Sequence, residues 1–137
     1  MERVIYLDHA STTPTDPEVV EAMRRWFSEE YGNPSTVYSL GLTATHAVQE
    51  ARESVASGLG AEPDEIYFTS GGTESDNWAI LGSADAHSKK GRHLITSTIE
   101  HHAVLETLEY LEKRGYEVSR IPVDAEGSVD PEDVRRA

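Results

Sequence analysis

The chain contains no cysteine. That excludes disulfides, thiolate-ligated zinc and any thiol nucleophile carried by this chain. Lysine is nearly as scarce: Lys89, Lys90 and Lys113 are the only three, and the other nine cations are arginine. No apolar run approaches the roughly 20 residues that span a bilayer. The opening MERVIYLDHA has neither an apolar h-region nor a small-residue cleavage site, so it does not read as a secretory signal. Positive charge is outnumbered, with 12 Lys+Arg against 25 Asp+Glu in 137 residues and a net charge of −13. Nucleic acids and anionic membrane surfaces both demand clustered cations, so neither is an expected partner. The length predicts one domain, since domains run to about 100–200 residues. A cytoplasmic location is the default. Abundant acid with little lysine reads either as a surface adapted to salt or as ordinary acidic character. Both readings concern solvent rather than fold.

What is present is regular. VIYLD at Val4–Asp8 predicts a short strand, and STTPTDP at Ser11–Pro17 is turn chemistry. Asp16 followed by Pro17 predicts a helix start, with the helix running to about Tyr31 on a stripe of Val19, Val20, Met23, Trp26 and Phe27. Gly32-Asn33-Pro34-Ser35 breaks it. A second helix is predicted from about Ser39 to Leu59, closed by Gly60. Strands are then expected at Glu65–Ser70, Arg92–Thr98 and Tyr116–Val123. Helices are expected at Thr73–Ala86, His102–Arg114 and from Pro131 onward. Strand and helix alternate, which predicts an α/β fold with a parallel-rich sheet flanked by helices. The last helix has only six or seven residues before Ala137, too few to stand alone. The sequence is therefore expected to be cut within a helix.

Three segments could carry chemistry. Thr69-Ser70-Gly71-Gly72-Thr73-Glu74-Ser75 lies between a predicted strand and a predicted helix. Two glycines allow close backbone approach, and a helix start offers free N–H groups and the positive end of its dipole, which suits a phosphate. Neither GxxxxGK[ST] nor GxGxxG is present, and an ordinary capped turn remains the alternative. Glu100-His101-His102 falls just after a predicted strand, at the sheet edge where α/β proteins bind ligands. A histidine there could stack on a ring or move protons, or could simply be a surface or capping residue. Chelation of one metal by both is disfavoured, because adjacent helical side chains point about 100° apart. The third segment, Tyr6-Leu7-Asp8-His9-Ala10-Ser11-Thr12-Thr13-Pro14, could line a site or form a turn.

YLDHASTTP, GNPST, EIYFTSGGTESDN, ITSTIEHHAVLETLEYLEKRGYEV and PVDAEGSVDPEDVRRA follow one another in this order from about Ile5 to Ala137. In this the chain resembles the amino-terminal part of the cysteine desulfurases, pyridoxal-phosphate enzymes of the aminotransferase class V superfamily. The resemblance implies that residues 1–137 form a single partial domain, the first part of a fold-type I large domain. It implies that Gly72 and Thr73 hold the cofactor phosphate. It further implies that His101 stacks on the pyridoxal ring and is catalytic through proton transfer. Asp8, Ala10, Thr12 and Thr13 match the family's motif near the substrate mouth, and Asn33 with Pro34 matches its GNPS segment. The sequence departs from the family at His9, often Asn; at Ser11, usually Ala; at Tyr38, commonly His; and at Leu42, often Arg. These positions bear on subunit contacts and substrate detail.

The family's lysine that carries the cofactor lies in a Ser-x-His-Lys context, and Lys89, Lys90 and Lys113 match nothing of the kind. The sulfur-accepting cysteine and the acid facing the pyridine nitrogen are also without counterparts. The resemblance thus implies the N-terminal piece of an enzyme that converts L-cysteine to L-alanine. Sulfur would pass to a scaffold or acceptor protein for iron–sulfur cluster or thio-cofactor assembly. A complementing C-terminal chain, a homodimer in the complete form, and pyridoxal 5'-phosphate bound only with the missing portion are the implied partners and cofactor. The alternatives are a non-catalytic remnant that binds a partner, or a related lyase or aminotransferase.

Overall fold

Asp16 opens the first helix as its sequence predicts: its carboxylate accepts the Glu18 N–H at 2.8 Å and Pro17 occupies the first helical position. The structure is a computed structural model and describes residues 5–137. Helix α1 spans Pro17–Ser28. It stops short of Tyr31 because the N–H groups of Glu29 and Glu30 both turn back to the Arg25 carbonyl. Helix α2 runs Ser39–Leu59, as expected, and ends on Gly60 in the left-handed conformation at φ 68°. A Cβ on Gly41 would collide with Thr36, so glycine there lets the GNPST loop lie against the first turn of α2. Thr45 fastens that loop by donating to the Pro34 carbonyl at 2.6 Å. A 3₁₀ turn, Pro63–Glu65, follows. These elements belong to the first of two compact units, which ends at Tyr67.

The second unit, Phe68–Ala137, holds α3 (Gly72–His87), β1 (His93–Ser97), α4 (His102–Glu112), β2 (Glu117–Ile121) and α5 (Pro131–Arg136). Strands β1 and β2 pair in parallel, with His93 opposite Glu117 and Ser97 opposite Ile121. Ala84, Leu108 and Leu111 form the buried centre, and Ile80, Leu81, Leu94, Val104, Tyr116 and Val118 pack around it. Alternation along each five-residue strand sends Leu94 and Val118 to this side, where α3 and α4 cover them. The Tyr116 hydroxyl, carried in with its ring, donates to the Ala84 carbonyl at 2.8 Å. Arg120 forks onto Glu112 at 2.7 and 2.8 Å, tying β2 to the end of α4. That pairing holds the Glu112 carboxyl below the usual range and raises the Arg120 guanidinium.

The helices and the parallel pair give the α/β architecture anticipated from the sequence. Two predicted strands are corrected. Val4 lies outside the described residues, and residues 5–8 form no strand. Glu65 closes the 3₁₀ turn, and residues 66–69 carry no ladder, although Ile66 is extended at φ −98° and ψ 126°. Both segments have the composition of strands. A strand, however, exists only through hydrogen bonds to a neighbour, and β1–β2 is the only such pair among the described residues.

Candidate functional site

Helix α3 begins without a side-chain cap. Gly71 precedes it in extended backbone, and no side chain accepts from the helix start. The first N–H groups of a helix have no intrahelical acceptor, so those of Gly72, Thr73 and Glu74 face outward. Glu74 does not fold over them. Its carboxylate instead reaches back to the Ser70 N–H at 2.6 Å and the Ser70 hydroxyl at 2.7 Å. The Ser70 backbone bond, and then its hydroxyl, hold the Glu74 carboxyl below the usual value. Thr69 and Ser75 close the other side through a 2.6 Å hydroxyl contact. A Cβ placed on Gly71 or on Gly72 would meet nothing within 4 Å. Gly71 is extended at φ 163° and neither glycine is left-handed, so neither is required by backbone conformation. Their missing side chains leave open space over a ring of donors.

Helix α4 begins differently. His101 is its N-cap, and its Nδ1 accepts the Ala103 N–H at 3.1 Å. The proton of the neutral ring therefore sits on Nε2. The imidazole is exposed. It follows the end of β1 by four residues, at the carboxyl edge of the sheet as the sequence predicts. The His101 and His102 rings stand 6.1 Å apart at 64°. Among the described residues, no three His, Asp or Glu side chains cluster as metal ligands would.

The two helix starts are joined. Asn77, one turn into α3, donates to the Thr73 carbonyl at 2.8 Å and to the Ala103 carbonyl at 3.4 Å. Thr107, one turn into α4, donates to Asn77 Oδ1 at 2.8 Å and to Ala103 O at 2.7 Å, sharing one hydrogen between them. Sequence reasoning passed over both residues. Their only signal is that Asn77 lies four residues after Thr73 and Thr107 four after Ala103, a spacing that hydroxyl and amide side chains use in many helices.

Asp8, Ala10, Thr12, Thr13 and Asn33 lie in the first unit and are all exposed. The Asp8 carbonyl accepts from Ser11 and Thr12 N–H groups, making a turn that the Tyr6–Thr12 hydroxyl contact at 2.6 Å secures. Asn33 Oδ1 accepts the Ser35 N–H at 2.8 Å, so its side chain shapes its own loop. Lys89, Lys90 and Lys113 are exposed at helix ends.

The start of α3 is thus uncapped and clear of side chains, and α4 begins at the carboxyl edge of the sheet with a histidine as its cap. The model of the aminotransferase class-V family matches residues 5–137, and the chain belongs to that family. It is 55% identical over 135 residues to the cysteine desulfurase IscS of Methanosarcina thermophila, a match that covers 98% of this chain and 33% of that protein. It is 54% identical over 137 residues to the cysteine desulfurase IscS of Dictyoglomus turgidum, covering 100% of this chain and 35% of the relative. The chain thus spans about a third of the length of the curated relatives it matches, in their N-terminal part. Among solved structures, a NifS-like protein superposes with a TM-score of 0.92 at 42% identity over 96% of this chain and 36% of its own. The crystal structure of DndA from Streptomyces lividans superposes with a TM-score of 0.81 at 44% identity, over 96% of this chain and 37% of its own. The fold is therefore a partial one of the NifS-like type.

Proposed function

We propose that this chain forms the amino-terminal part of a pyridoxal-phosphate-dependent cysteine desulfurase. The whole enzyme would convert L-cysteine to L-alanine and hand the sulfur to an acceptor or scaffold protein for iron–sulfur or thio-cofactor assembly. The carrying observation is the cleared start of α3, where the space over Gly71 and Gly72 adjoins uncapped N–H groups. This donor set fits a phosphate monoester: backbone N–H groups, the Thr73 hydroxyl and the positive end of a 16-residue helix. When bound, pyridoxal phosphate supplies the electron sink for chemistry at the amino-acid α-carbon. Gly72 and Thr73 hold its phosphate. His101 presents a flat, exposed imidazole to the ring and can carry a proton at Nε2 while Nδ1 stays engaged with Ala103. Asp8, Ala10, Thr12, Thr13 and Asn33 belong to the substrate mouth.

Residues 1–137 are one partial domain in this reading. The cofactor-bearing lysine and sulfur-accepting cysteine come from sequence outside this chain, the complete enzyme is a cytoplasmic homodimer, and this chain alone is inactive. The three lysines support that division. All are exposed in polar surroundings, and none lies in the Ser-x-His-Lys context that the resemblance implies for the cofactor-bearing lysine.

The test mixes the chain with pyridoxal phosphate near neutral pH, follows the backbone amides by NMR, then reduces with borohydride and maps adducts by mass spectrometry. Expected are shifts at Gly72 and Thr73 with weak, scattered lysine labelling. A single stoichiometric adduct on one lysine would overturn the division of the site. Unmoved Gly72 and Thr73 amides would overturn the cradle.

A further inference from the structure

The site as read has two halves on two helices, a phosphate cradle at the start of α3 and a ring-facing histidine at the start of α4. Nothing in the chain's covalent order sets the distance between them, because β1 and two loops intervene between Thr73 and His101. The core of Ala84, Leu108 and Leu111 sits in the middle and far parts of both helices, with Val104 packing against it from the first turn of α4. Apolar packing of that kind tolerates small sliding and rotation. A fixed separation calls for directional bonds near the helix starts.

Such bonds are there. Asn77 joins the carbonyl of Thr73, the cradle residue, to the carbonyl of Ala103, whose own N–H is held by His101 Nδ1. Thr107 completes the link from α4, bonded to Asn77 at 2.8 Å and 4% exposed. The chain of contacts is thus Thr73, Asn77, Ala103, His101, with Thr107 bracing its middle. Thr73 to Asn77 is one helical turn, Asn77 to Ala103 crosses between the helices, and Ala103 to His101 is a cap. Carbonyl acceptors near a helix start are normally satisfied by N–H groups four residues on. The extra donors from Asn77 and Thr107 therefore do not serve to rescue unmet backbone groups. They serve to join the helices. A valine at 107 would fill nearly the same volume, so packing alone does not call for a hydroxyl there.

We infer that Asn77 and Thr107 are positioning residues: a polar bridge that sets the span between the anion cradle at Thr73 and the imidazole of His101. Neither touches the cofactor in this inference. Both act through the helix starts they join. The part concerning the cofactor rests on the proposed function, whereas the bridge itself does not.

The experiment uses the 137-residue chain and has two readouts. The first needs no ligand. Amide hydrogen exchange is compared between the wild type, Thr107→Val, Thr107→Ser and Asn77→Leu, with the Leu108 and Leu111 amides reporting whether the core stays folded. Thr107→Val should speed exchange by about tenfold at Ala103 and Val104. It should do so equally at Ser75 and Asn77 on the other helix, the change expected from losing one hydrogen bond. Thr107→Ser should restore wild-type rates at both. Asn77→Leu should reproduce the valine result from α3, which keeps the inference testable if Thr107→Val does not fold. The second readout is affinity by NMR titration. Thr107→Val should bind inorganic phosphate within about twofold of wild type but bind pyridoxal phosphate about tenfold more weakly, because only the larger ligand spans both helix starts.

Exchange that quickens on α4 alone, or a serine variant no better than valine, overturns the bridge. Equal weakening toward both ligands overturns the claim that it sets a span. If wild type binds neither ligand, the proposed function falls, while the exchange comparison still decides whether the helix starts are coupled.

Discussion

The backbone N–H of Ala103 donates to Nδ1 of His101 at 3.1 Å, so the histidine proposed to meet the cofactor ring is the cap of its own helix. The proposed function thus gives one side chain two separable duties. His101→Ala removes both, whereas His101→Asn keeps a capping oxygen and removes only the ring. By thermal unfolding, alanine should cost about 1 kcal/mol and asparagine much less. In the complete enzyme both should lower turnover by about 10²–10⁴-fold, and His102→Ala should not. Equal effects of substituting His101 and His102 would place the wrong histidine over the ring.

Gly72 offers the converse separation. Its backbone is not left-handed and a Cβ there meets only open space, so Gly72→Ala should leave stability unchanged or raise it by up to about 1 kcal/mol. In the proposed cradle that same methyl group would occupy space needed by the phosphate. Affinity for pyridoxal phosphate, measured by titration, should fall by about tenfold or more. A variant less stable than wild type, yet binding equally well, would show that this glycine serves the fold.

Glu74 gives the site a pH signature. Its carboxyl is held below the usual value by the Ser70 N–H and hydroxyl, so the folded form favours the charged state. The stabilisation is complete above the unfolded pKa of about 4.3 and is lost as pH falls through the lowered folded value. The Ser70 amide should therefore shift in acid below pH 4.3 as the loop lets go. In Glu74→Gln it should stay flat over the same range. An unchanged titration in the glutamine variant would assign the shift to another group.

With 25 acids against 12 cations, self-repulsion opposes the compact state. If the acidity is an adaptation to salt, the thermal midpoint should climb as KCl rises from millimolar to molar, because exposed like charges are screened over about 3 Å at 1 M. A flat or falling midpoint would identify ordinary acidic character.

The helices were legible because their signals are local. Asp16-Pro17, Gly60 and Asp130-Pro131 each cap a helix with groups a few residues away, and all three act as the sequence indicates. Glu65–Ser70 was misread for the opposite reason. Its run of Ile66, Tyr67 and Phe68 marks a backbone suited to pairing, but the partner that would make it a strand is a distant property no local window contains. In the site, Gly72, Thr73 and His101 stood out because two glycines at a helix start and a histidine at a strand end are unusual. Asn77 and Thr107 did not stand out, since their importance lies in facing one another across 30 residues. That His101 caps α4 is the ordinary alternative the sequence left open beside a ring-facing role.

The parallel pair β1–β2 has a colloidal consequence. A sheet of two strands has no inner strand, so each of them presents one row of N–H and C=O groups that its partner does not use. Ile95 on β1 is 43% exposed beside such a row. The shared net charge of −13 opposes two copies adding strand to strand. Acid that protonates the carboxylates removes that repulsion while leaving the open edges in place. The chain handled by itself should therefore be best behaved at neutral pH and gather into β-rich aggregates as its charge approaches zero.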